Sequence, residues 1–189
     1  MKILMIGGMT KCGKYTAGEY LAKKPDVKRL RFVSVVMYPE LLINPHMDPY
    51  KAAMGIPEDA QAESFCLNFP KAVEPTKEVY VVHGVFGPRT IEHIKKGLPD
   101  YTPKFLYINA SFEMRVLNQI RCFERDNIIN SLCSVVDKAT EDVMERDLKK
   151  IRLGAEMTPT HFDYLIENKG TLDDFINKLD VIYNKIKKA

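Results

Sequence analysis

The chain has 189 residues, enough for one sizeable domain, and its 46% hydrophobic and 28% charged residues are typical of water-soluble globular proteins. Its net charge of +3 does not favour nucleic acid as the main partner, and no apolar run approaches the ~20 residues of a membrane span. The four cysteines are scattered along the chain, which predicts reduced thiols in a cytoplasmic protein. The N-terminal apolar run of about five residues is too short for a signal peptide, in agreement with that prediction. The composition leaves the oligomeric state open.

The beginning of the chain carries the pattern of a strand, a glycine-bracketed loop and a helix. Residues 2–6 form a short apolar run, residues 8–14 match the spacing G-x-x-x-x-G-K, and residues 15–23 predict a helix. Loops of this kind turn backbone N–H groups inward around a phosphate, and the positive end of the following helix faces the same anion. We therefore predict a phosphate-binding loop; the alternative interpretation is an ordinary glycine turn.

The loop residues have separate predicted roles. Gly8 and Gly13 allow close approach of the backbone, and Lys14 would reach the β- and γ-phosphates as a point charge. Tyr15 stands where the usual Ser or Thr hydroxyl binds Mg²⁺, so Thr16, about 100° further round the helix, is the candidate metal ligand. The predicted nucleotide-binding residues are Gly8, Lys11, Cys12, Gly13, Lys14, Tyr15 and Thr16.

Strand and helix patterns alternate along the rest of the chain. The β-branched residues of 29–37 predict a second strand, and residues 38–76 predict a largely helical insertion, a natural place for the second substrate. Further strands are predicted at 78–84, 104–109 and 162–168. The resulting fold is a three-layer α/β domain over residues 1–189, with a five-stranded, mostly parallel sheet.

The later helices carry predicted caps and apolar stripes. Ser111 is predicted to cap a helix ending near residue 125, with Arg115, Arg121 and Arg125 mainly on its polar side. A second helix over 137–153 has Met144, Leu148 and Ile151 at helical spacing as its predicted core-facing stripe. Thr171 is predicted to cap the last helix.

Several segments together resemble the P-loop nucleotide kinases, the group that includes dephospho-CoA kinase-like, adenylate kinase-like and phage deoxynucleoside monophosphate kinases. The segments that carry the resemblance are residues 8–14, Val81-Val82-His83-Gly84-Val85, residues 109–115, Arg121, Arg125-Asp126, Glu145-Arg146-Asp147 and residues 162–172. The resemblance implies a three-layer α/β/α kinase fold, ATP and Mg²⁺ as cofactors, an acceptor-binding insertion at 38–76 and a lid near 121–140.

The resemblance also implies individual roles. Lys14 would hold the ATP phosphates, and the lid arginines Arg121, Arg125 and Arg115 would neutralise charge on the transferring phosphoryl group. On the acceptor side it implies His83 and Arg89, although a partly buried structural histidine is the alternative interpretation of His83. Asn168 and Gly170 would lie beside the adenine through backbone contacts, although a plain turn is the alternative interpretation of Gly170.

Two residues depart from the kinase pattern. Relatives commonly carry an acidic residue where this chain has His83, and a hydroxyl where it has Tyr15. The resulting hypothesis is an ATP-dependent phosphoryl transfer to a nucleotide-like or other small-molecule acceptor. The alternative, based on these two residues, is a catalytically impaired nucleotide-binding protein with a regulatory or partner-binding role.

Overall fold

The core of the protein is a single parallel sheet with β1 at its centre. The computed structural model describes residues 1–53, 55–85, 87–126, 132–152 and 154–188. Its strands are β1 (Lys2–Gly7), β2 (Val27–Arg31), β3 (Val79–Val85), β4 (Lys104–Asn109) and β5 (Tyr164–Glu167). They lie in the order β2-β3-β1-β4-β5, and each neighbouring pair is parallel. The predicted five-stranded α/β sheet is confirmed, and it is parallel throughout.

Helices cover both faces of the sheet. They are α1 (Lys14–Leu21), α2 (Phe32–Val36), α3 (Tyr38–Ile43), α4 (Pro49–Ala53), α5 (Glu58–Ala72), α6 (Pro88–Gly97), α7 (Phe112–Arg125), α8 (Leu132–Ile151) and α9 (Leu172–Lys188). Successive β1 side chains enter opposite cores: Leu4 and Ile6 pack with α1 and α9, whereas Ile3 and Met5 pack with α2, α5 and α6. This alternation produces the three layers.

The predicted second strand over 29–37 is wrong in its second half. Strand β2 ends at Arg31, and the next five residues form α2. Phe32, Val35 and Val36 are buried, and the Phe32 ring stacks on Phe65 of α5 with centroids 5.0 Å apart. Valine-rich composition favours a strand, but the i, i+3, i+4 spacing of these side chains fits a helix that can bury them against α5.

Helix α8 buries a different stripe from the one predicted. Met144 and Leu148 are 51% and 56% exposed, so the predicted core-facing stripe is wrong. The buried row lies one residue earlier in register and consists of Val135, Ala139, Val143 and Asp147. Ala139 and Val143 pack against Val116 of α7, and Asp147 carries a charge inward because it has partners in Arg115 of α7 and the Thr10 N–H of the loop.

Helix α7 likewise places a charge on its buried face. Arg115 is buried, contrary to its predicted position on the polar side, while Leu117 is 48% exposed. The physical reason is again the charge partner, since an arginine side chain is buried only where ion pairs and hydrogen bonds replace water. The predicted N-cap is confirmed, because Ser111 Oγ accepts a hydrogen bond from the Met114 N–H at 3.3 Å.

Residues 38–76 are largely helical, as predicted, and contain α3, α4 and α5. The predicted lid over 121–140 includes the end of α7 and the start of α8, and its residues 127–131 lie outside the described part of the chain, as does Phe86 after β3. Across the described ranges, the model contains no helix that combines the length and the apolar character needed to cross a membrane.

Candidate functional site

The glycine-bracketed loop joins β1 to α1 at the carboxyl edge of the sheet. Gly8 has φ +135° and Gly13 has φ +111°, values that residues with a Cβ rarely adopt. A Cβ on Gly8 would lie 2.3 Å from the carbonyl oxygen of Ile108, and one on Gly13 would lie 2.9 Å from Asn168 Nδ2. Both positions therefore require glycine so that the loop can lie against the ends of β4 and β5.

Side chains from three distant elements hold the loop in place. Asn118 Nδ2 on α7 donates to the carbonyl oxygen of Lys11 at 3.0 Å, and Asn168 Nδ2 after β5 donates to that of Cys12 at 2.9 Å. Asp147 Oδ1 on α8 accepts from the Thr10 N–H at 2.9 Å. The structure therefore assigns Asn168 a side-chain contact with the loop.

Two lysine ammonium groups lie on the loop. Lys14 Nζ donates to the carbonyl oxygens of Gly8 at 2.7 Å and Met9 at 2.6 Å. Lys150 Nζ on α8 donates to Thr10 Oγ1 at 2.7 Å. Burial, and next the positive charge of Lys14, lower the pKa of Lys150 to about 7. Two cations held this closely favour a multiply charged anion at the loop.

A buried ion pair joins α7 to α8 beside the loop. Arg115 donates through Nη1 to Asp147 Oδ2, and their side chains are only 10% and 9% exposed. The same Nη1 lies 3.5 Å from the carbonyl oxygen of Thr10. Arg115 Nε is buried and has no hydrogen-bond partner among the described residues. Of the three predicted lid arginines, Arg115 is the one in direct contact with the loop.

The other predicted basic residues lie further out. Arg121 Nη1 donates to Asn118 Oδ1 at 3.3 Å, and Asn118 in turn contacts the loop. Arg125 forms an exposed ion pair with Asp126 at 3.1 Å. Lys11 Nζ donates to Cys122 Sγ on α7 at 3.0 Å. Arg89 is exposed in the first turn of α6.

The two residues that depart from the kinase pattern meet at a third side chain, Arg29 of β2. Its guanidinium carbon lies 4.2 Å from the centroid of the Tyr15 ring, and its Nε donates to His83 Nε2 at 3.1 Å. Burial, and then the charges of Arg29, Arg31 and Lys14, lower the pKa of His83 to about 4. His83 is therefore neutral near pH 7, with Nε2 already engaged as an acceptor.

The residues present do not fit a bound Mg²⁺ ion. This ion prefers oxygen ligands, whereas Tyr15 is stacked by Arg29 and His83 offers nitrogen. Asp147 has both oxygens engaged, by Arg115 and by the Thr10 N–H. Thr16, the predicted metal ligand, lines an open groove between α1 and α9 with Tyr20, Leu172 and Ile176. The part of the chain that the structure describes contains no group of three or more His, Cys, Asp or Glu side chains suited to a metal.

Sequence reasoning missed Arg29, Asn118, Asp147 and Lys150 as parts of this site. Asn118 and Lys150 lie more than 100 residues from their partners in the loop, so no local pattern connects them. A signal was present in Asp147, a charge in register with an otherwise apolar row of α8, and in Arg29, a charge in the middle of strand β2.

Comparison of the sequence with known proteins finds a partial match to a curated protein. No protein-family model matches the chain. The chain is 28% identical over 121 residues to a UPF0200/UPF0201 protein from Archaeoglobus fulgidus. The match covers 63% of this chain and 34% of the relative, so the chain spans about a third of the length of the curated relative it matches.

Solved structures with the same fold cover nearly the whole chain. An uncharacterized protein from Eubacterium ventriosum has a TM-score of 0.62 at 14% identity and covers 100% of both chains. Shikimate kinase from Bacteroides thetaiotaomicron has a TM-score of 0.58 at 13% identity, with 100% of this chain and 99% of that one covered. TT1252 from Thermus thermophilus has a TM-score of 0.54 at 14% identity, covering 98% and 97%. The chain thus has the α/β fold of the P-loop kinases.

Proposed function

We propose that this protein binds ATP at residues 8–14 and transfers the terminal phosphoryl group to a small-molecule acceptor. The observation that carries the proposal is Lys14, held by loop carbonyl groups between β1 and the start of α1, with Gly8 and Gly13 in conformations that only glycine adopts easily. Backbone N–H groups, a helix N-terminus and a lysine at one point form an anion site suited to the phosphates of a nucleotide.

The donor side holds further groups that can neutralise phosphate charge. Lys150 and Arg115 are placed on Thr10 by two different helices, so both can act on a phosphate at the loop without large motion. Fixed cations stabilise the charge that spreads over the phosphoryl oxygens during transfer. We assign this role to Lys14, Lys150 and Arg115. Arg121 would act indirectly, because it donates a hydrogen bond to Asn118, whose side chain contacts the loop.

The acceptor side lies at the carboxyl ends of β2 and β3, where open α/β sheets bind ligands. Arg31 ends β2 in register with His83, and its side chain is exposed. Arg89 follows β3 on α6, next to Thr90, whose N–H and hydroxyl bind Glu58 at the start of α5. We infer an acceptor with a phosphate or carboxylate group, held between these arginines and the helices of 38–76.

The resemblance to dephospho-CoA kinase-like, adenylate kinase-like and deoxynucleoside monophosphate kinases supports a nucleotide-like acceptor. The test is ADP release with nucleoside monophosphates, dephospho-CoA, phosphomevalonate and shikimate, each measured against an acceptor-free reaction. We expect release with at least one acceptor, and its loss in Lys14→Ala. The matched control is Lys23→Ala, an exposed lysine just after α1, which should keep the wild-type rate.

A second candidate is nucleotide binding without transfer, with a regulatory or partner-binding role. The observation that favours it is the pair Tyr15 and His83, which stand where metal-assisted kinases carry a Ser or Thr hydroxyl and a carboxylate. ATP binding that depends on Lys14, together with no ADP release across the full panel, would select this candidate. No ATP binding at all would overturn both functions.

A further inference from the structure

A half-buried cation, Arg29, lies between the two residues that depart from the P-loop kinase pattern. The residue after the loop lysine and the residue at the end of β3 are the two protein positions that would face the metal. Here they are Tyr15 and His83, whose rings lie edge to face with centroids 6.2 Å apart. The guanidinium of Arg29 contacts both rings, by stacking on one and by donating a hydrogen bond to the other.

The packing around Arg29 fixes its charge in this position. Its side chain is only 18% exposed, and Glu19 of α1 lies 3.7 Å from its Nη1. A Cβ at Gly18 would lie 3.1 Å from Arg29 Nε and 3.4 Å from a carbon of His83. Helix α1 therefore carries a helix-weakening glycine at the point where the guanidinium passes beneath it.

The charges around this corner oppose a second cation. Arg29, Arg31 and Lys14 act together on His83, and each would repel a divalent ion placed between them. Glu19 is the acidic group that packs on Arg29, and its carboxylate is directed to the guanidinium. His83 Nε2, the ring nitrogen that could bind a cation, already accepts a hydrogen bond from Arg29.

We propose that the Arg29 guanidinium takes the place of the divalent cation, so that this site binds the phosphates of a nucleoside triphosphate without a metal ion. The inference rests on the proposed nucleotide site and adds how that site balances the phosphate charge. A guanidinium is suited to this role because it is always charged and presents several N–H donors to phosphate oxygens.

The test is calorimetric titration of ATP into the wild-type protein, once with excess EDTA and once with saturating MgCl₂. We expect affinities within about threefold of each other, because the protein supplies the balancing charge itself. Arg29→Gln should weaken binding in EDTA by about 10- to 100-fold, the effect of one lost charge-assisted contact. The matched control is Lys28→Gln, since the neighbouring cation of β2 points to the other face and pairs with Glu74.

The outcomes separate this inference from the proposed function. ATP binding that is tenfold or more tighter with MgCl₂ than with EDTA would overturn the internal-cation inference and leave the nucleotide site standing. Equal losses in Arg29→Gln and Lys28→Gln would also overturn it. No binding in either buffer would overturn both. The wild-type comparison decides the question even if Arg29→Gln does not fold.

Discussion

The two halves of the candidate site differ in how their charges are balanced. On the donor half, the loop at 8–14 is tied to α7, α8 and the end of β5 by Asn118, Asp147 and Asn168, and Asp147 also pairs with the buried Arg115. On the half formed by β2 and β3, three cations act on one neutral histidine, and Glu19 pairs with one of them, Arg29. The first half is held together by these side-chain hydrogen bonds, whereas the second carries more positive than negative charge.

The difference shows what each half needs from a ligand. In the donor half Arg115 is already paired with Asp147, and a phosphate bound there would meet Lys14 and Lys150 on the loop. The other half would also gain from an incoming anion, because Arg29, Arg31 and Lys14 bring three positive charges near His83 and Glu19 pairs with Arg29 alone among them. The contrast between the two halves predicts effects on stability, on ATP affinity and on the pH dependence of both.

The largest expected effect is on the rigid half. Asp147→Ala leaves the Arg115 guanidinium buried without its partner and removes the acceptor of the Thr10 N–H. Breaking a buried pair in this way destabilises a protein by about 3–5 kcal/mol. Urea denaturation followed by circular dichroism should show a correspondingly lower midpoint.

The control for this change is an exposed pair on the same helix. Glu145 pairs with Lys149 one turn apart at the surface, so Glu145→Gln should leave the midpoint nearly unchanged. The double replacement Arg115→Met with Asp147→Leu should recover much of the loss, because it removes both buried charges. A midpoint in Asp147→Ala equal to that of Glu145→Gln would contradict the structural role of the pair.

The next effect links phosphate binding to proton uptake. In the ligand-free protein the pKa of Lys150 is lowered to about 7 by burial and by Lys14, with Arg115 adding and Cys12 and Asp147 opposing. An arriving phosphate raises this pKa again, so above pH 7 binding takes up a proton. ATP affinity should therefore fall as pH rises above 7, by at most about tenfold per pH unit. Calorimetry in buffers of different ionisation enthalpy measures the uptake.

Replacement of Lys150 by arginine provides the comparison. Lys150→Arg keeps a charge that does not titrate in this range, so it should bind ATP with no uptake linked to this position. If the wild type and Lys150→Arg take up the same number of protons at pH ~8, Lys150 does not sense the phosphate.

The smallest expected effect is on the cationic half at acid pH. The pKa of His83 is lowered from 6.5 to about 4, by burial and by the charges of Arg29, Arg31 and Lys14. Its contribution to stability is therefore complete above pH 6.5 and is lost as pH falls toward 4, because the unfolded chain takes up the proton first. Across this window the wild type should lose more stability than His83→Gln.

The measurement is the urea midpoint of both proteins at about pH 7.5 and at about pH 4.5. At the higher pH the difference between them reflects only the lost packing and the lost bond from Arg29. A difference that stays constant down to the lower pH would show that His83 titrates normally and that the surrounding charges do not act on it.

Much of the fold could be predicted from the sequence because local patterns determine it. The loop at 8–14, the strand at 104–109 and the cap at Ser111 are specified by neighbouring residues, and the structure agrees with each. The segment 32–36 was not predictable from composition, because its valines suit a strand and only packing against α5 makes it helical.

The site was only partly predictable for the same reason. Lys14 and its glycines are encoded within one short segment, whereas Lys150 and Asp147 reach the loop from a helix more than 130 residues later. The buried row of α8 lies one residue before the predicted row, because the prediction considered apolar residues alone. Asp147 belongs to the buried row although it is charged, since its partners come from other elements.

The most direct test of the central claim is titration of ATP into the wild-type protein and Lys14→Ala, with Lys23→Ala as the matched control. We expect the wild type and Lys23→Ala to bind ATP alike, and Lys14→Ala to lose roughly 10- to 100-fold in affinity, as one ammonium–phosphate contact requires. Adenosine should bind none of the three comparably to ATP. Undiminished ATP binding by Lys14→Ala, or equal binding of adenosine and ATP by the wild type, would contradict phosphate recognition by this loop.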